Sequence, residues 1–163
     1  MDELSGQYLS FKLQQEDFAL DIAHVREVLD LTRLTRVPKA PDYVRGVINL
    51  RGAVVPVVDL NLKFGHGLTT ETVHTRIIIG EVTVSGELTT LGVIADAVQE
   101  VMELDEREIE PSPRIGTSLD TGFLKGMGRR EDDFVMILDI DKVFATDGLT
   151  LDGLGLPQVE DCA

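Results

Sequence analysis

The feature that most constrains the fold is a hydrophobic stretch at residues 43–65, in which two apolar runs are separated only by Arg51 and Gly52. The runs, residues 46–50 and 53–60, are short, rich in valine, and show no clean alternation of polar and apolar residues. Short β-branched runs bounded by turn residues suit strands covered on both faces better than a helix. Gly52 offers the backbone freedom that a tight reversal requires. The stretch therefore predicts a buried β-hairpin with Arg51 at its apex.

Several residues of this hairpin depart from the apolar pattern. Pro56 has no N–H group to donate to a sheet, so it predicts an edge, a bulge or a bend in the ladder. Four polar residues are interspersed among the valines and leucines: Arg45, Asn49, Arg51 and Asp59. The simplest interpretation of these four residues is a core hairpin that carries solvated polar groups.

The remainder of the chain indicates mainly short strands. Apolar runs separated by turn residues predict strands at residues 7–13, 18–22, 76–84, 88–94, 123–128 and 134–140. Residues 98–104 are compatible with a helix or a twisted strand, and a strand is favoured. In the first of these, Leu9, Phe11 and Leu13 alternate with polar or amphipathic residues, which predicts a half-buried strand. Short strands at this spacing are typical of barrels and sandwiches. The expected fold class is therefore all-β in the main, with a few short helices.

Helical spacing occurs in two places. With Asp21 as the N-cap, Ile22, Val25, Val28 and Leu29 would share one face of a short helix over residues 21–29. Residues 140–144 predict a short closing helix. Between these, residues 31–37 favour a short strand that ends at Pro38, because proline cannot continue a sheet ladder.

The distribution of charge restricts the class of partner. The chain has 15 Lys and Arg against 29 Asp and Glu, for a net charge of −14. Nearly all of that excess lies after residue 80, whereas six cations fall close together: Arg26, Arg33, Arg36, Lys39, Arg45 and Arg51. So acidic a chain does not favour nucleic-acid binding, which requires a basic surface. Acidic residues that maintain solubility explain most of the net charge, but they do not explain the basic cluster.

Compartment and covalent stabilisation can also be predicted. Cys162 is the one cysteine, so an internal disulfide framework is excluded. No apolar run reaches the length of a membrane span, and the acidic N-terminus does not resemble a signal peptide. We therefore expect a cytoplasmic protein without direct membrane insertion. Residues 148–163 are rich in glycine and leucine and predict a flexible C-terminal tail.

No arrangement of residues indicates catalysis. His24, His66 and His74 lack metal-ligand spacing with one another and with Cys162. No serine occupies the Gly-x-Ser-x-Gly turn of a hydrolase, and no glycine-rich loop is suited to phosphate. We therefore expect no catalytic residue, no metal and no cofactor. A chain with a large core and no reactive constellation is more typical of a binding module than of an enzyme.

Several motifs, in order along the chain, resemble the CheW-type chemotaxis coupling proteins. The central motif YVRGVINLRGAVVPVVDL is followed by KFG, and the chain also contains TRIIIGE, IEPSP and FLKGMG…FVMILDIDKVF. The pattern F-x-L-x-I-x-x-V-x-E-V occupies residues 18–28. The resemblance extends over roughly residues 7–144. It implies two SH3-like, five-stranded β-barrel lobes on a shared core, within one domain at residues 1–147. The lobes would be roughly residues 17–81 and 82–147, with the N-terminal strand shared.

The same resemblance implies partners and contact residues. Proteins of this kind dock on the regulatory domain of a CheA-type histidine kinase and on the cytoplasmic tip of chemoreceptors, in arrays at the membrane. Carried over by position, the receptor-binding residues are Val25, Glu27, Arg45, Gly46 and Arg51. The kinase-binding residues are Glu110 and Ile115, in a ring-forming contact, and exposed apolar surface of the first lobe would add to the kinase contact. The isolated protein is expected to be a monomer.

Three functions remain open from the sequence. The first is a non-catalytic adaptor that couples chemoreceptors to the kinase. The second is a CheW-like adaptor of a non-flagellar pathway, such as twitching or gliding, or a protein that competes for the same surfaces without coupling. The third is a β-barrel enzyme, a hydrolase that would use His24 or His74 with a carboxylate.

Overall fold

A computed structural model describes residues 6–14, 16–63, 67–84, 86–110, 124–130 and 133–144, and these residues form two β-sheets. The strands are β1 (Gly6–Leu13), β2 (Glu16–Asp21), β3 (Val25–Asp30), β4 (Val44–Leu50), β5 (Ala53–Asp59), β6 (Arg76–Val84), β7 (Glu87–Ala95), β8 (Ala97–Leu104), β9 (Ile109–Glu110), β10 (Leu124–Arg130) and β11 (Asp133–Leu138). The helices are α1 (Leu60–Lys63) and α2 (Ile140–Phe144), together with 3₁₀ turns at Ile22–His24 and Glu106–Glu108. The prediction of a mainly β fold with a few short helices is confirmed.

The strands are divided between a five-stranded and a six-stranded sheet. The five-stranded sheet has the order β3-β6-β7-β5-β4, and the six-stranded sheet has the order β8-β1-β2-β11-β10-β9. Each contains one parallel pair, β5 with β7 and β2 with β11, and the other pairs are antiparallel. The five-stranded sheet has the number of strands expected for one lobe. The second sheet has an additional strand, the two-residue β9.

Three apolar clusters account for the two-lobed architecture. Residues of both sheets form a shared core: Leu9, Phe11, Leu13, Phe18, Leu20, Val44, Val58, Leu60, Ile78, Val82, Leu91, Val93, Ala95, Leu138, Ile140 and Val143. The inner core of the five-stranded sheet contains Ile48, Val55, Val57, Ile77, Ile79 and Ile94. The inner core of the six-stranded sheet contains Tyr8, Ala19, Met102, Leu104, Ile109, Val135 and Ile137. Each sheet therefore curls around its own core and packs against the other sheet through the shared core.

The central hairpin lies where the sequence predicts it. β4 and β5 are antiparallel, and Val55 and Val57 face the inner core while Val58 faces the shared core, so the hairpin is covered on both sides. Pro56 is paired with β4 only, because the parallel pairing of β5 with β7 begins at Val57. The register of β4 against β5 also shifts between Val44 and Gly46. Pro56 itself pairs in register with Val47, so the predicted break of the ladder at Pro56 occurs on its β7 side and not on its β4 side.

The predicted helix over residues 21–29 is wrong. Asp21 does cap a helical turn, since its Oδ1 accepts the Ala23 N–H group at 2.9 Å, but that turn is a 3₁₀ turn that ends at His24. The residues that follow form β3, in which Val25, Glu27 and Leu29 face inward and alternate with exposed residues. Residues 25–30 therefore form a strand because they pair with β6, although the spacing of their apolar residues is helical.

Two smaller expectations also need correction. β1 is not half-buried, because Tyr8 and Ser10 on its second face are covered by the inner core of the six-stranded sheet and by β8. Residues 31–37 do not form a strand. They contribute one isolated bridge, between Thr35 and Val47.

Some expectations concern residues whose structure is not described. Ile115, His66, Cys162 and the tail at residues 148–163 lie outside the described residues. The lobe limits of 17–81 and 82–147 stay a prediction. Within the described residues, no helix is long and apolar enough to cross a membrane.

Candidate functional site

An ion pair joins the two edges of the five-stranded sheet. The guanidinium of Arg51 donates a hydrogen bond to the carboxylate of Glu27, which lies on β3. β3 and β4 are the outermost strands of this sheet, so the contact brings the β4–β5 turn over the opposite edge. The pair therefore marks the point at which the sheet curls round on itself.

The β4–β5 turn presents Arg51 in a constrained conformation. Arg51 and Gly52 have positive φ values of 50° and 89°, as in the type I′ turns that suit two-residue hairpins. The Gly52 N–H group donates to Asn49 Oδ1 at 2.8 Å, which braces the turn. The backbone under the guanidinium is therefore rigid.

The pair is displayed at the surface rather than buried. The Arg51 side chain is 72% exposed and that of Glu27 is 28% exposed. The hydrogen bond and the charge of Glu27 raise the pKa of Arg51 above its usual range. Arginine has five N–H donors, so donors of Arg51 remain available to a partner while Glu27 orients the group.

Gly46 allows the segment before β4 to lie against the strand. Val47 donates to the Thr35 carbonyl at 2.8 Å, and Thr35 donates to the Val47 carbonyl at 3.0 Å. Gly46 has φ 151°, and a Cβ at this position would lie 2.6 Å from the Thr35 carbonyl oxygen. Only glycine permits this close approach.

Arg45 is held by a buried carboxylate. Its Nη1 donates to Asp59 Oδ2 at 2.9 Å, and the Asp59 side chain is completely buried. Asp59 also accepts the Thr69 N–H and O–H groups at 2.9 and 2.6 Å, and the Leu62 N–H group at 3.3 Å. The interpretation of Asp59 as a solvated charge is therefore wrong. A buried carboxylate with this many donors is compensated by charge and hydrogen bonds.

The hydrogen bonds continue from Asp59 to the other sheet. Asn61 Nδ2 donates to Thr69 Oγ1 at 2.8 Å and to Asp96 Oδ1 at 3.1 Å. Asp96 Oδ2 accepts the backbone N–H group of Gln14, in the β1–β2 turn, at 2.7 Å. Sequence reasoning missed Asn61, Thr69 and Asp96. The signal that could have indicated part of this network is the position of Asp59 before α1, which is typical of an N-cap.

The predicted receptor-binding residues lie in two places. Val25 packs partly on the shared core two residues before Glu27, at a register shift of β3 against β6. Arg45 lies near the start of β4 and Arg51 directly after its end. At ~3.3 Å per residue, these two cations are separated by roughly 20 Å along the strand. The structure therefore brings Glu27 and Arg51 into contact, and it places Arg45 and Gly46 at the other end of β4.

Glu110 lies in the six-stranded sheet. Its carboxylate pairs with Arg129 at 2.7 Å, and the Arg129 guanidinium lies 5.8 Å from the centre of the Phe134 ring. Phe134 is 47% exposed. Arg129 is therefore oriented by an acid and an aromatic ring on a surface remote in sequence from the β4–β5 turn.

The described histidines have ordinary structural surroundings. His24 Nδ1 lies 3.0 Å from the Glu81 carbonyl oxygen, and His74 is exposed in a turn. Within the described ranges, no three His, Cys, Asp or Glu side chains are grouped so as to hold a metal ion. The Glu27–Arg51 and Glu110–Arg129 pairs present oriented charges at the surface, which suits contact with another protein.

Comparison with known proteins identifies a family for this chain. Residues 7–147 match the CheW-like domain. The chain is 33% identical over 139 residues to the chemotaxis protein CheW of Rhizobium meliloti, covering 85% of this chain and 87% of that protein. It is 30% identical over 150 residues to the chemotaxis protein CheW of Klebsiella aerogenes, covering 92% and 88%. The crystal structure of the scaffolding protein TtCheW from Thermoanaerobacter tengcongensis superimposes with a TM-score of 0.77 at 36% identity, covering 90% and 92%.

Proposed function

The chain belongs to the CheW-like domain family, and from this premise we propose that it is a non-catalytic adaptor that couples chemoreceptors to a CheA-type histidine kinase. The observation that carries the proposal is the match to this family over both lobes, at 30% identity or more to proteins named for chemotaxis. An adaptor needs two separate rigid surfaces, and two curled sheets packed on a shared core supply them.

The receptor tip is proposed to bind the five-stranded sheet at Val25, Glu27, Arg45, Gly46 and Arg51. Support comes from the oriented Glu27–Arg51 pair and from the Arg45–Asp59 pair, each of which presents a guanidinium of restricted mobility. Restricting a long side chain before binding lowers the entropic cost of the complex. A receptor helix that spans both ends of β4 would contact both guanidinium groups.

The kinase regulatory domain is proposed to bind Glu110, which lies in the six-stranded sheet, together with Ile115, and to make additional contact with exposed apolar surface of the first lobe. Glu110 is supported by its ion pair with Arg129, which sets two opposite charges side by side at the surface. Charges of both signs at a contact favour one register of the partner over others. Placement of the kinase on this sheet leaves the β4–β5 turn accessible to the receptor.

The protein is further proposed to act in the cytoplasm, at receptor arrays, and to be a monomer when isolated. The same surfaces would serve an adaptor of a non-flagellar pathway or a competitor that occupies them without coupling. A β-barrel enzyme is the least supported function, because the contact that the described residues provide for the His24 ring is the Glu81 backbone carbonyl.

Bridging of the two partners is the property that tests the proposal. Receptor-containing membranes are mixed with the kinase in the presence and absence of the protein, and the pelleted kinase is measured. An adaptor increases the amount of pelleted kinase in proportion to its own occupancy of the membranes. A competitor pellets with the membranes without increasing the kinase, and an unrelated protein stays in the supernatant.

A further inference from the structure

The segment between β3 and β4 borders an open groove of about 310 Å³. Its lining residues are Arg36, Val37, Pro38, Ala40, Pro41, Asp42, Val44 and Arg45. Five of these side chains are apolar, and the two arginines supply hydrogen-bond donors. The groove therefore combines an apolar lining with cationic groups, which is the composition of a site for an amphipathic side chain.

Arg45 is the fixed donor of this groove. One nitrogen, Nη1, is bound to Asp59, and the described part of the chain provides no second ion pair or hydrogen bond for this guanidinium. The other N–H groups of Arg45 are therefore available while the buried carboxylate restrains the side chain. A restrained guanidinium binds a carboxylate at a smaller entropic cost than a mobile one.

Arg36, unlike Arg45, is a hydrogen-bond donor that no described residue restrains. Its side chain is exposed and has no ion pair or hydrogen bond with any described residue, and the same is true of Arg33 and Lys39. In contrast, the neighbouring strands carry arginines that are paired, Arg26 with Glu81 at 2.6 Å and Arg76 with Asp30 at 3.3 Å. The segment at residues 33–39 thus presents cations that no described residue neutralises.

The frame of the groove is rigid. Two hydrogen bonds between Thr35 and Val47 attach its first side to β4, and the Val44 N–H group donates to the Pro41 carbonyl at 2.9 Å. Pro38 and Pro41 restrict the backbone between these points. The groove therefore exists before a partner binds.

We propose that this groove receives a glutamate side chain from an acidic segment of a partner protein. Arg45 and Arg36 bind the carboxylate, the apolar lining packs on the aliphatic stem, and Asp59 acts as a positioning residue for Arg45. Asp42 in the lining and the net charge of −14 disfavour the binding of highly charged phosphates and of nucleic acids. The inference extends the proposed function because Arg45 belongs to both, but its test below uses neither receptor nor kinase.

The test is a titration of the isotopically labelled protein with a blocked hexaglutamate peptide, followed by amide chemical shifts. A blocked hexaglutamine peptide of the same length is the control. Because the protein as a whole repels an acidic peptide, non-specific attraction does not produce a local response. Hexaglutamate is expected to shift the amide signals of the non-proline residues within 36–45, while hexaglutamine leaves them unchanged. Absence of binding by hexaglutamate, or equal shifts with both peptides, overturns the inference.

Variants assign the roles of the individual residues. Arg36→Gln and Arg45→Gln are each expected to weaken hexaglutamate binding, whereas Arg107→Gln, which alters an exposed cation in the 3₁₀ turn between β8 and β9, leaves it unchanged. Wild-type affinity in both groove variants overturns the inference.

Asp59→Asn is expected to weaken binding roughly two- to tenfold, the cost of ordering one long side chain. In the Arg45→Gln background it is expected to have no further effect on binding, because Asp59 acts through Arg45. An equal loss in both backgrounds contradicts a positioning role. If Asp59→Asn does not fold, Thr69→Val serves instead, since it removes the 2.6 Å hydrogen bond to the same carboxylate. Loss of receptor binding by the Arg45 variant with normal hexaglutamate binding would reject the groove and retain the proposed adaptor function.

Discussion

The guanidinium of Arg51 in the β4–β5 turn is hydrogen-bonded to the carboxylate of Glu27 in β3, although β3 and β4 lie at opposite edges of the five-stranded sheet. The Thr35–Val47 bridge in addition attaches the segment between β3 and β4 to the β4 edge. The residues that close the sheet are therefore also among those proposed to meet the receptor.

Arg51→Glu is expected to leave the fold intact and to weaken binding of the receptor tip at least about tenfold, because it places a carboxylate where the partner meets a cation. The fold is expected to survive since the side chain is 72% exposed. Thermal melts and co-sedimentation with receptor membranes measure the two properties separately.

Arg26→Glu is the matched control for this reversal. Arg26 is also paired with an acid, Glu81, and its side chain is 58% exposed, but it is not among the proposed contacts. Equal losses of co-sedimentation in the two variants would indicate a general charge effect. Unchanged co-sedimentation of the Arg51 variant would remove Arg51 from the receptor site.

Val57→Asp is expected to prevent cooperative folding. Val57 is completely buried in the inner core of the five-stranded sheet, and a carboxylate there has no partner. Burying an unpaired charge costs several kcal/mol, a large part of the ~5–15 kcal/mol that stabilises a typical domain. Ala53→Asp, at the exposed start of the same strand, is expected to melt close to the wild type. A cooperative melt of the Val57 variant near the wild-type temperature would disprove the placement of this strand.

Gly46→Ala is expected to destabilise the protein more than Gly52→Ala does. Both glycines have positive φ, a conformation that costs a residue with a Cβ about 1–3 kcal/mol. Only at Gly46 does the added Cβ also collide with the Thr35 carbonyl oxygen, whereas Gly52 has no atom within 4 Å of such a Cβ. Chemical denaturation gives the two free energies. Amide exchange at Val47 is expected to accelerate in the Gly46 variant alone, and equal effects of both substitutions would contradict a clash.

The central hairpin could be predicted because β-branched residues, a turn glycine and a proline all indicate the same structure at residues 46–60. β3 could not be predicted, and the reason is Glu27. A charged residue at an inward position interrupted the alternation of a strand, and Val28 is 40% exposed, so the apolar residues acquired helical spacing. The Glu27 side chain is only partly exposed, at 28%, and its carboxylate pairs with Arg51, which is distant in sequence.

The burial of Asp59 could not be predicted either. Its partners Arg45 and Thr69 lie 14 and 10 residues away, at spacings that no local pattern connects. Tertiary pairing decides whether a polar residue of an apolar strand is solvated or buried, and a single sequence does not contain that pairing. The positions of Arg45, Gly46 and Arg51 followed from the motif that resembles the family, and their role as receptor contacts stays a prediction.

Stability is expected to decrease at high pH because of Tyr8. Burial, and to a smaller extent the charge of Asp21, raise the pKa of Tyr8 above its ordinary value. Because the pKa of Tyr8 is raised in the folded state, the contribution of its neutral phenol to the free energy of unfolding is complete below the pKa of an unfolded tyrosine, ~10. This contribution is lost as pH rises above that value. Thermal melts of the wild type and Tyr8→Phe between about pH 8 and 11 measure the effect. The decline is expected to be smaller in the variant, and parallel curves would contradict the assignment.

The rate of kinase autophosphorylation in the presence of receptor membranes tests the central claim most directly. It is measured with the cognate kinase and receptors, first without the protein, then with the wild type and with Arg51→Glu. An adaptor is expected to increase the rate in a receptor-dependent manner, and the Arg51 variant to increase it much less at the same concentration. A rate that is the same with and without the wild-type protein, at concentrations where it binds the membranes, would contradict coupling.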